Sequence, residues 1–540
     1  MGRAKEPEDW LLTAAERGNP ATGIDARHED GAAWSRGNLV RPLVHGRSYF
    51  AALIDAVQAQ RPGDLLLFTD WRGDPDEPLD DKDSVGEVLC RAAERGVVVK
   101  GLVWRSHLDR FQFSERENRH LGEEIEAAGG ECLLDMRVRP GGSHHQKFVV
   151  LRHPDRPEHD IAFVGGIDLC HSRRDDADHD GDPHAQPMAA DYGPRPPWHD
   201  LQLAIRGPAV GDVEAVFRER WQDPSPLSRS LPGRVRQVMN HQDTVADPLP
   251  PQPPDPAPVD GGPHTVQLLR TYPAMRHGYP FAPSGERSIA RGYRKALARA
   301  RSLVHLEDQY LWSAPIVASF AEALAREPRL RMIAVIPLQP DQDGRMTGPM
   351  NLLGRVEALR LLRSAGGERF AVYGVENHAG TPVYVHAKVC VIDDVWAAVG
   401  SDNVNRRSWT HDSELSCAVL DSTPDPREPT DPGGLGDGAR VYARDLRLTL
   451  AREHLDLPLG DQRSDLLCDP ELAFRAFADS AAALDAWHAG GRTGPRPPGR
   501  LRRYRTPRLS RTATLLSTPL QRLVADPDGR PRALRRNDAF

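Results

Sequence analysis

Amphipathic stretches alternate with short apolar runs along most of this chain. In YFAALIDAVQAQ, residues 49–60, apolar side chains recur at the spacing of a helix face, whereas DLLLFTDW, residues 64–71, is a continuous apolar run that reads as a buried strand. Two more helix-then-strand pairs follow, VGEVLCRAAERG with VVVKGLVW and LGEEIEAAGG with ECLLDM. The second half repeats the order: SIARGYRKALARA with SLVHLEDQYLW, SFAEALAREP with LRMIAVIPL, and VEALRLLRSAGG with ERFAVYGV. Helices alternating with strands of this kind imply a largely parallel sheet flanked by helices. Because the whole order recurs, the pattern predicts an internal duplication: an α/β fold of two α/β/α sandwich halves packed pseudo-symmetrically.

After the third unit of each half comes the same small pattern. In VHAKVCVIDDVWAAVGSDN, residues 385–403, His386 and Lys388 are two apart and would share one face of a strand. In SHHQKFVVL, His145 and Lys147 repeat the spacing. Lysine is rare here, occurring only at positions 5, 82, 100, 147, 295 and 388. Two of the six therefore fall in the paired motifs, which favours a specific need for an ammonium group. The proline-rich ADPLPPQPPDPAPVDGGP, residues 246–263, has no apolar period and marks a connector. This gives an N-terminal extension (1–40), a first half (41–245), the linker (246–263), a second half (264–456) and a C-terminal extension (457–540). Within the first half, residues 173–198 are rich in Asp and His but fit no calcium or zinc spacing, so they read as a solvated insertion.

Composition changes this picture little. The 540 residues are 39% apolar and 27% charged, with a formal net charge of −7, and nothing global announces nucleic acid. Six cysteines lie scattered without CxxC spacing, which argues against a metal or disulfide framework. The N-terminus has no signal-peptide core and no run approaches the length of a membrane span, so a bacterial cytoplasm is the expected compartment. Residues 492–511, RTGPRPPGRLRRYRTPRLSR, carry many arginines and no acid. They read either as a disordered tail or as a peripheral contact with the inner face of an anionic membrane.

Two imidazoles and two ammonium groups in one pocket suit phosphodiester chemistry. The lysines, with Ser401 and Asn403, would clamp a phosphoryl group whose charge grows in the transition state. One neutral imidazole would attack phosphorus while the other donates a proton to the leaving oxygen, forming a phosphohistidine that water or an alcohol releases. Such rings need orienting acceptors. Asp200 in PPWHDLQLAI and Glu414 in HDSELSCAV stand at the starts of strand-like runs downstream of each motif.

At this point the chain resembles the phospholipase D superfamily, whose signature HxKx4D followed by GSxN occurs twice. The second copy is complete, with His386, Lys388, Asp393, Gly400, Ser401 and Asn403. The first keeps His145 and Lys147, but Arg152 stands at the aspartate position and GGID, with Gly166 and Asp168, replaces GSxN. GGIDLC, GNLVRPLVHG, PWHD and LEDQY are similar to the eukaryotic-type branch. The resemblance implies His145 as nucleophile, His386 as general acid and base, Asp393 within the catalytic set, Asp200 and Glu414 orienting the rings, and Lys147, Lys388, Ser401, Asn403 and Asp168 around the phosphate. It implies no cofactor and no catalytic metal. Asp155 and Asp160 are the nearby carboxylates that could fold back to replace the missing aspartate.

The expected function is hydrolysis of a phosphatidylcholine-like glycerophospholipid to phosphatidic acid, with transphosphatidylation to alcohols. A cardiolipin synthase-like transferase and a nuclease share the chemistry, although mild net acidity disfavours nucleic acid; a degenerate lipid-binding scaffold is the non-enzymatic alternative. Because one chain carries both motifs, no oligomer is required.

Overall fold

The computed structural model describes residues 7–28, 31–106, 115–228, 230–240, 242–341, 347–507, 518–519 and 521–540. Each half is built on one mixed sheet. Edge to edge, the first runs β1 (Ser35–Val44), β8 (Leu201–Arg206), β6 (Ile161–Gly165), β5 (Phe148–Arg152), β2 (Leu65–Asp70), β3 (Val98–Trp104) and β4 (Glu131–Asp135). The second repeats it as β9 (His264–Tyr272), β17 (Glu414–Asp421), β16 (Trp396–Gly400), β15 (Lys388–Ile392), β11 (Leu303–Asp308), β12 (Arg331–Val335) and β13 (Phe370–Glu376). Three strands of each sheet are parallel and joined by crossover helices; the rest are antiparallel. Short strands β7 (Trp198–His199), β10 (Glu286–Arg287), β14 (Pro382–Val385) and β18 (Leu501–Arg503) sit at the margins.

Local sequence explains these elements. LLLFTD of β2 is buried at every position, as a strand covered on both faces must be. The helix Val85–Glu94 opens with a capping box between Ser84 and Glu87 and buries Val85, Val88, Leu89 and Ala92. Leu66 and Phe68 of β2 face the core beneath the crossover helices, whereas Leu65 and Leu67 face the opposite core with the helix Ala209–Trp221. That second core also holds Leu203 and Ile205 of β8, Val399 of β16 and Leu415 and Cys417 of β17. The two halves therefore meet sheet against sheet through a continuous apolar layer, and β1 pairs with β9 across the seam.

Two expectations are corrected. Residues 173–198 are not a solvated insertion: Arg173, Asp175, His179, Asp182, Tyr192 and Trp198 are all buried, held by contacts inside the protein such as Tyr192 Oη to Gln339 O and the N–H of Trp198 to Asp175. The basic tail is not a free polycation either. Leu501–Arg503 forms β18 against β13, while Arg500 and Arg502 pair with Asp456, Glu376 and Asp485. Residues 508–511 of that stretch lie outside the described residues.

The signature's last position proves structural in both copies. Asp393 follows β15, and its carboxylate accepts hydrogen bonds from the backbone N–H groups of Arg301, Ser302 and Leu303 at 2.7–2.9 Å, fixing the start of β11. Lys388 sits opposite Asp308 at the other end of the same strand pair. Five residues of strand, about 16 Å, separate them, so Asp393 belongs to the scaffold rather than the catalytic set. Arg152 occupies the equivalent place beside Leu65 at the start of β2. Its buried guanidinium donates to Asp160 at 2.7 Å, to Glu214, and to the linker carbonyls of Pro253 and Pro254. Asp160 does fold back, but onto Arg152 rather than toward the chemistry.

Restoring the signature with Arg152→Asp should therefore lower stability by about 3–5 kcal/mol, because it removes a buried cation and adds a third carboxylate beside Asp160 and Glu214. Urea unfolding of the variant against the parent measures this.

Candidate active site

His145, Lys147 and His386 stand just before their strands rather than on them, since β5 begins at Phe148 and β15 at Lys388, which opens its strand. The reason is a crossing of segments between the halves. The backbone N–H of His145 donates to Ser413 O at 2.9 Å, and those of His386 and Ala387 both donate to His199 O at 2.8 and 3.1 Å. Each motif is thus pinned to the residue preceding the other half's carboxylate.

Those carboxylates then reach across. His145 Nδ1 lies 2.8 Å from Glu414 Oε2, and His386 Nδ1 lies 2.6 Å from Asp200 Oδ2. Both acids are buried in the opposite half, Glu414 as the first residue of β17 and Asp200 between β7 and β8. Burial pushes both imidazoles well below their ordinary range, reinforced by Lys147 at His145 and by Lys388 at His386. The same desolvation raises Glu414 well above, and Asp200 above, the usual carboxylate range. With Nδ1 engaged, Nε2 is the nitrogen left for a ligand.

The lysines lie beneath the rings. Lys147 Nζ donates to His145 O at 2.9 Å and faces Asp168 at 3.5 Å. Lys388 Nζ donates to His386 O and to Gln309 Oε1. Burial, partly offset by Asp200, lowers the Lys388 ammonium to about 8.

His145, Asp168 and His386 line one cleft of about 510 Å³ with Trp71, Arg173 and Trp198, and further walls come from Gln309, Tyr310 and Tyr384. Three residues expected around the phosphate stand differently. Ser401 Oγ donates to Glu414 Oε2 at 2.6 Å, so it holds the acid that holds His145. Asp168 is an anion that pairs with Lys147 and Arg173; it keeps cations in place and would repel a phosphate. Asn403 is buried and, like Lys147 and Lys388, stands behind the cleft lining rather than in it; among the described residues its Oδ1 has no hydrogen-bond partner.

Arg173 is the cation the sequence reading missed. It stacks 4.0 Å over Trp198, donates to Asp168 and reaches the cleft. Its place two residues before Asp175, inside a stretch read as solvated, concealed it. Asp70 was missed too: it ends β2, and burial together with Asp168 raises its carboxyl well above the ordinary range.

Comparison with known proteins gives the chain's family. The family model described as "Phospholipase D" matches residues 73–247, and "Cardiolipin synthase, PLD-like domain" matches residues 293–424. Phospholipase D alpha 2 of Oryza sativa subsp. japonica is 25% identical over 493 residues, covering 69% of this chain and 58% of its own. Phospholipase D A of Dictyostelium discoideum is 27% identical over 485 residues, covering 77% and 36%. The chain thus spans less than two thirds of the length of these relatives. Among solved structures, phosphatidylserine synthase of Haemophilus influenzae Rd KW20 aligns with a TM-score of 0.47 at 13% identity, covering 71% of this chain and 82% of its own. The chain belongs to the phospholipase D superfamily, and its plant and Dictyostelium relatives agree with the eukaryotic-type branch.

Because Lys388 titrates near 8, affinity for an anionic dialkyl phosphate should fall as pH rises through about 8, when the ammonium loses its charge. Calorimetric titration across that range measures the limb, and Lys388→Met should remove both the limb and most of the binding.

Proposed function

We propose that this protein is a phosphodiesterase that takes the phosphatidyl group of a phosphatidylcholine-like lipid and passes it to water or an alcohol. The observation that carries the reading is the pair of crossed couples, His145–Glu414 and His386–Asp200, which present two neutral imidazoles to one cleft. His145, the more exposed ring at 15% against 6% for His386, attacks phosphorus through Nε2. The bond from phosphorus to the head-group oxygen breaks as His386, which takes up a solvent proton at Nε2 when the anionic phosphate binds, gives that oxygen its proton. Lys147, Lys388 and Arg173 stabilise the charge on the phosphoryl oxygens. His386, now neutral, deprotonates water or alcohol, which attacks the phosphohistidine and frees His145. Both couples are complete, which favours an enzyme over a degenerate scaffold.

Two features favour a lipid over a nucleic acid. Aromatic side chains of Trp71, Tyr310 and Tyr384 wall the cleft and suit a quaternary ammonium head group. The helix Leu231–Met239 turns Leu231, Val235, Val238 and Met239 outward, each 59–76% exposed. Its Arg236 binds Glu115, two residues before the cleft residue Glu117. Contact with the membrane surface is proposed through this face, since Arg496, Arg500 and Arg502 of the tail pair with Glu376, Asp456 and Asp485. Among the described residues no helix is long and apolar enough to cross a membrane. The match of the second half to a cardiolipin synthase-type model favours glycerol-type alcohols among the acceptors.

Phosphatidylcholine vesicles incubated with ethanol or glycerol should yield phosphatidic acid together with phosphatidylethanol or phosphatidylglycerol. His145→Ala and His386→Ala should each lose at least about a thousandfold, since each removes a group of a unit that acts together. No product from any head group, with turnover of a nucleic-acid diester instead, would refute the lipid reading. Val238→Asp should depress turnover of vesicles while sparing a short-chain soluble substrate, as the apolar face serves docking rather than chemistry.

A further inference from the structure

Behind the Asp200–His386 couple lies a buried cluster that the phosphodiester chemistry does not use. His45 follows β1, His179 comes from the segment 173–198, His199 ends β7, and Glu453 comes from the helix Val441–His454. His45, His179 and His199 are each at most 3% exposed. Each of the four residues offers a ligand atom, and these atoms all lie within 4.8 Å of one another.

The arrangement is that of ligands around a point. The three imidazole centroids are 4.9, 5.1 and 5.8 Å apart, with the rings steeply inclined to one another. Imidazoles bound tetrahedrally through nitrogens about 2.0–2.1 Å from a zinc ion place their centroids roughly 5 Å apart. The nitrogens converge on one carboxylate: His45 Nε2 is 2.8 Å from Glu453 Oε2, while His179 Nε2 and His199 Nδ1 are each 3.1 Å from Oε1. The outward nitrogens of two rings face carboxylates in turn, His199 Nε2 toward Glu307 Oε2 at 2.7 Å and His179 Nδ1 toward Asp175 Oδ2 at 3.7 Å. Metal-bound histidines almost always direct the second nitrogen in this way. Glu307 is itself held by His305 and His454.

Hydrogen bonds alone serve the cluster less well. His199 would have to donate from both nitrogens. His179 would have to do the same, or turn a bare lone pair toward Asp175. Two cationic rings would then share the single oxygen Glu453 Oε1. A divalent ion accepts the three inward nitrogens from neutral rings and leaves their outward protons for Glu307 and Asp175. Backbone shape also shows constraint here, because His45 and His179 adopt φ of 67° and 58°, values costly for residues with a side chain.

We propose that His45, His179, His199 and Glu453 bind one structural divalent cation of the zinc class, the ion that three imidazoles and a carboxylate in tetrahedral array suit best. The ion ties four distant segments together directly behind the chemistry. His199 O accepts from His386 N, His45 N donates to Asp200 O, and Asp175 accepts from the N–H of Trp198, whose ring lines the cleft. It therefore acts as a positioning element for the Asp200–His386 couple. The proposal does not depend on the identity of the substrate.

The test is metal analysis of the intact chain. Purified wild type, stripped with a chelator and dialysed against micromolar Zn²⁺, should retain about one ion per chain, and Co²⁺ in its place should show the visible bands of a four-coordinate centre. Stripping should lower the melting temperature, and Zn²⁺ should restore it. His179→Ala should lose the ion, whereas His171→Ala, in the separate Glu77–His171–His184 group, should keep it. A folded wild type that retains less than about 0.1 ion per chain would overturn the proposal and leave a proton network in its place. So would loss of the ion in His171→Ala with retention in His179→Ala. If His179→Ala fails to fold, wild-type stoichiometry and the Co²⁺ spectrum decide alone.

Discussion

The structure depends on an exchange of carboxylates between its halves. His145 of the first half is held by Glu414 of the second, and His386 of the second by Asp200 of the first. Neither half alone orients the imidazole of its own motif. The apolar layer between the sheets, the pairing of β1 with β9 and the backbone bonds from His145 and His386 to Ser413 and His199 all serve to keep these two couples in register. Because both couples are buried, water does not compete for the Nδ1 positions, and burial itself keeps the rings neutral. A hydrophobic interface thus becomes a chemical device: it fixes which nitrogen faces the cleft.

The duplication is symmetric in backbone and asymmetric in side chains. At the signature's turn the second half has Ser401, whose hydroxyl supports Glu414; the first has Gly166, where a Cβ would lie 2.3 Å from Asp200 Oδ1. The glycine is thus required by the carboxylate that fills its place. Asn403 corresponds to Asp168, so at this turn the first half places a carboxylate beside its lysine where the second has an amide. Arg152 and Asp393 solve the same problem, anchoring the start of a central strand, with opposite charges. Such differences make two equivalent positions unequal, as the proposed two-step transfer requires.

The sequence shows these features unevenly. Helix–strand order was legible because period and burial follow from local composition, and the repetition of YFAALIDAVQAQ–DLLLFTDW as SIARGYRKALARA–SLVHLEDQYLW disclosed the duplication. His145, Lys147, His386 and Lys388 stood out by spacing. That Glu414 pairs with His145 rather than with the nearer His386 was not legible, since it depends on how the halves cross. Asp393 and Ser401 carry the signature yet lie behind the chemistry, because a motif records what the fold requires as well as what touches a ligand. Residues 173–198 misled most: their Asp and His spacing matches no local template, as their partners are His45, His199 and Glu453, far away in the chain.

Nitrogen NMR of histidine-labelled protein reads the crossed couples directly, by reporting which ring nitrogen carries the proton. His145 and His386 should each be protonated at Nδ1 and bare at Nε2. Glu414→Gln should disturb the tautomer of His145 and leave that of His386, while Asp200→Asn should do the reverse. If each substitution instead moved the histidine of its own half, the exchange of carboxylates would be contradicted.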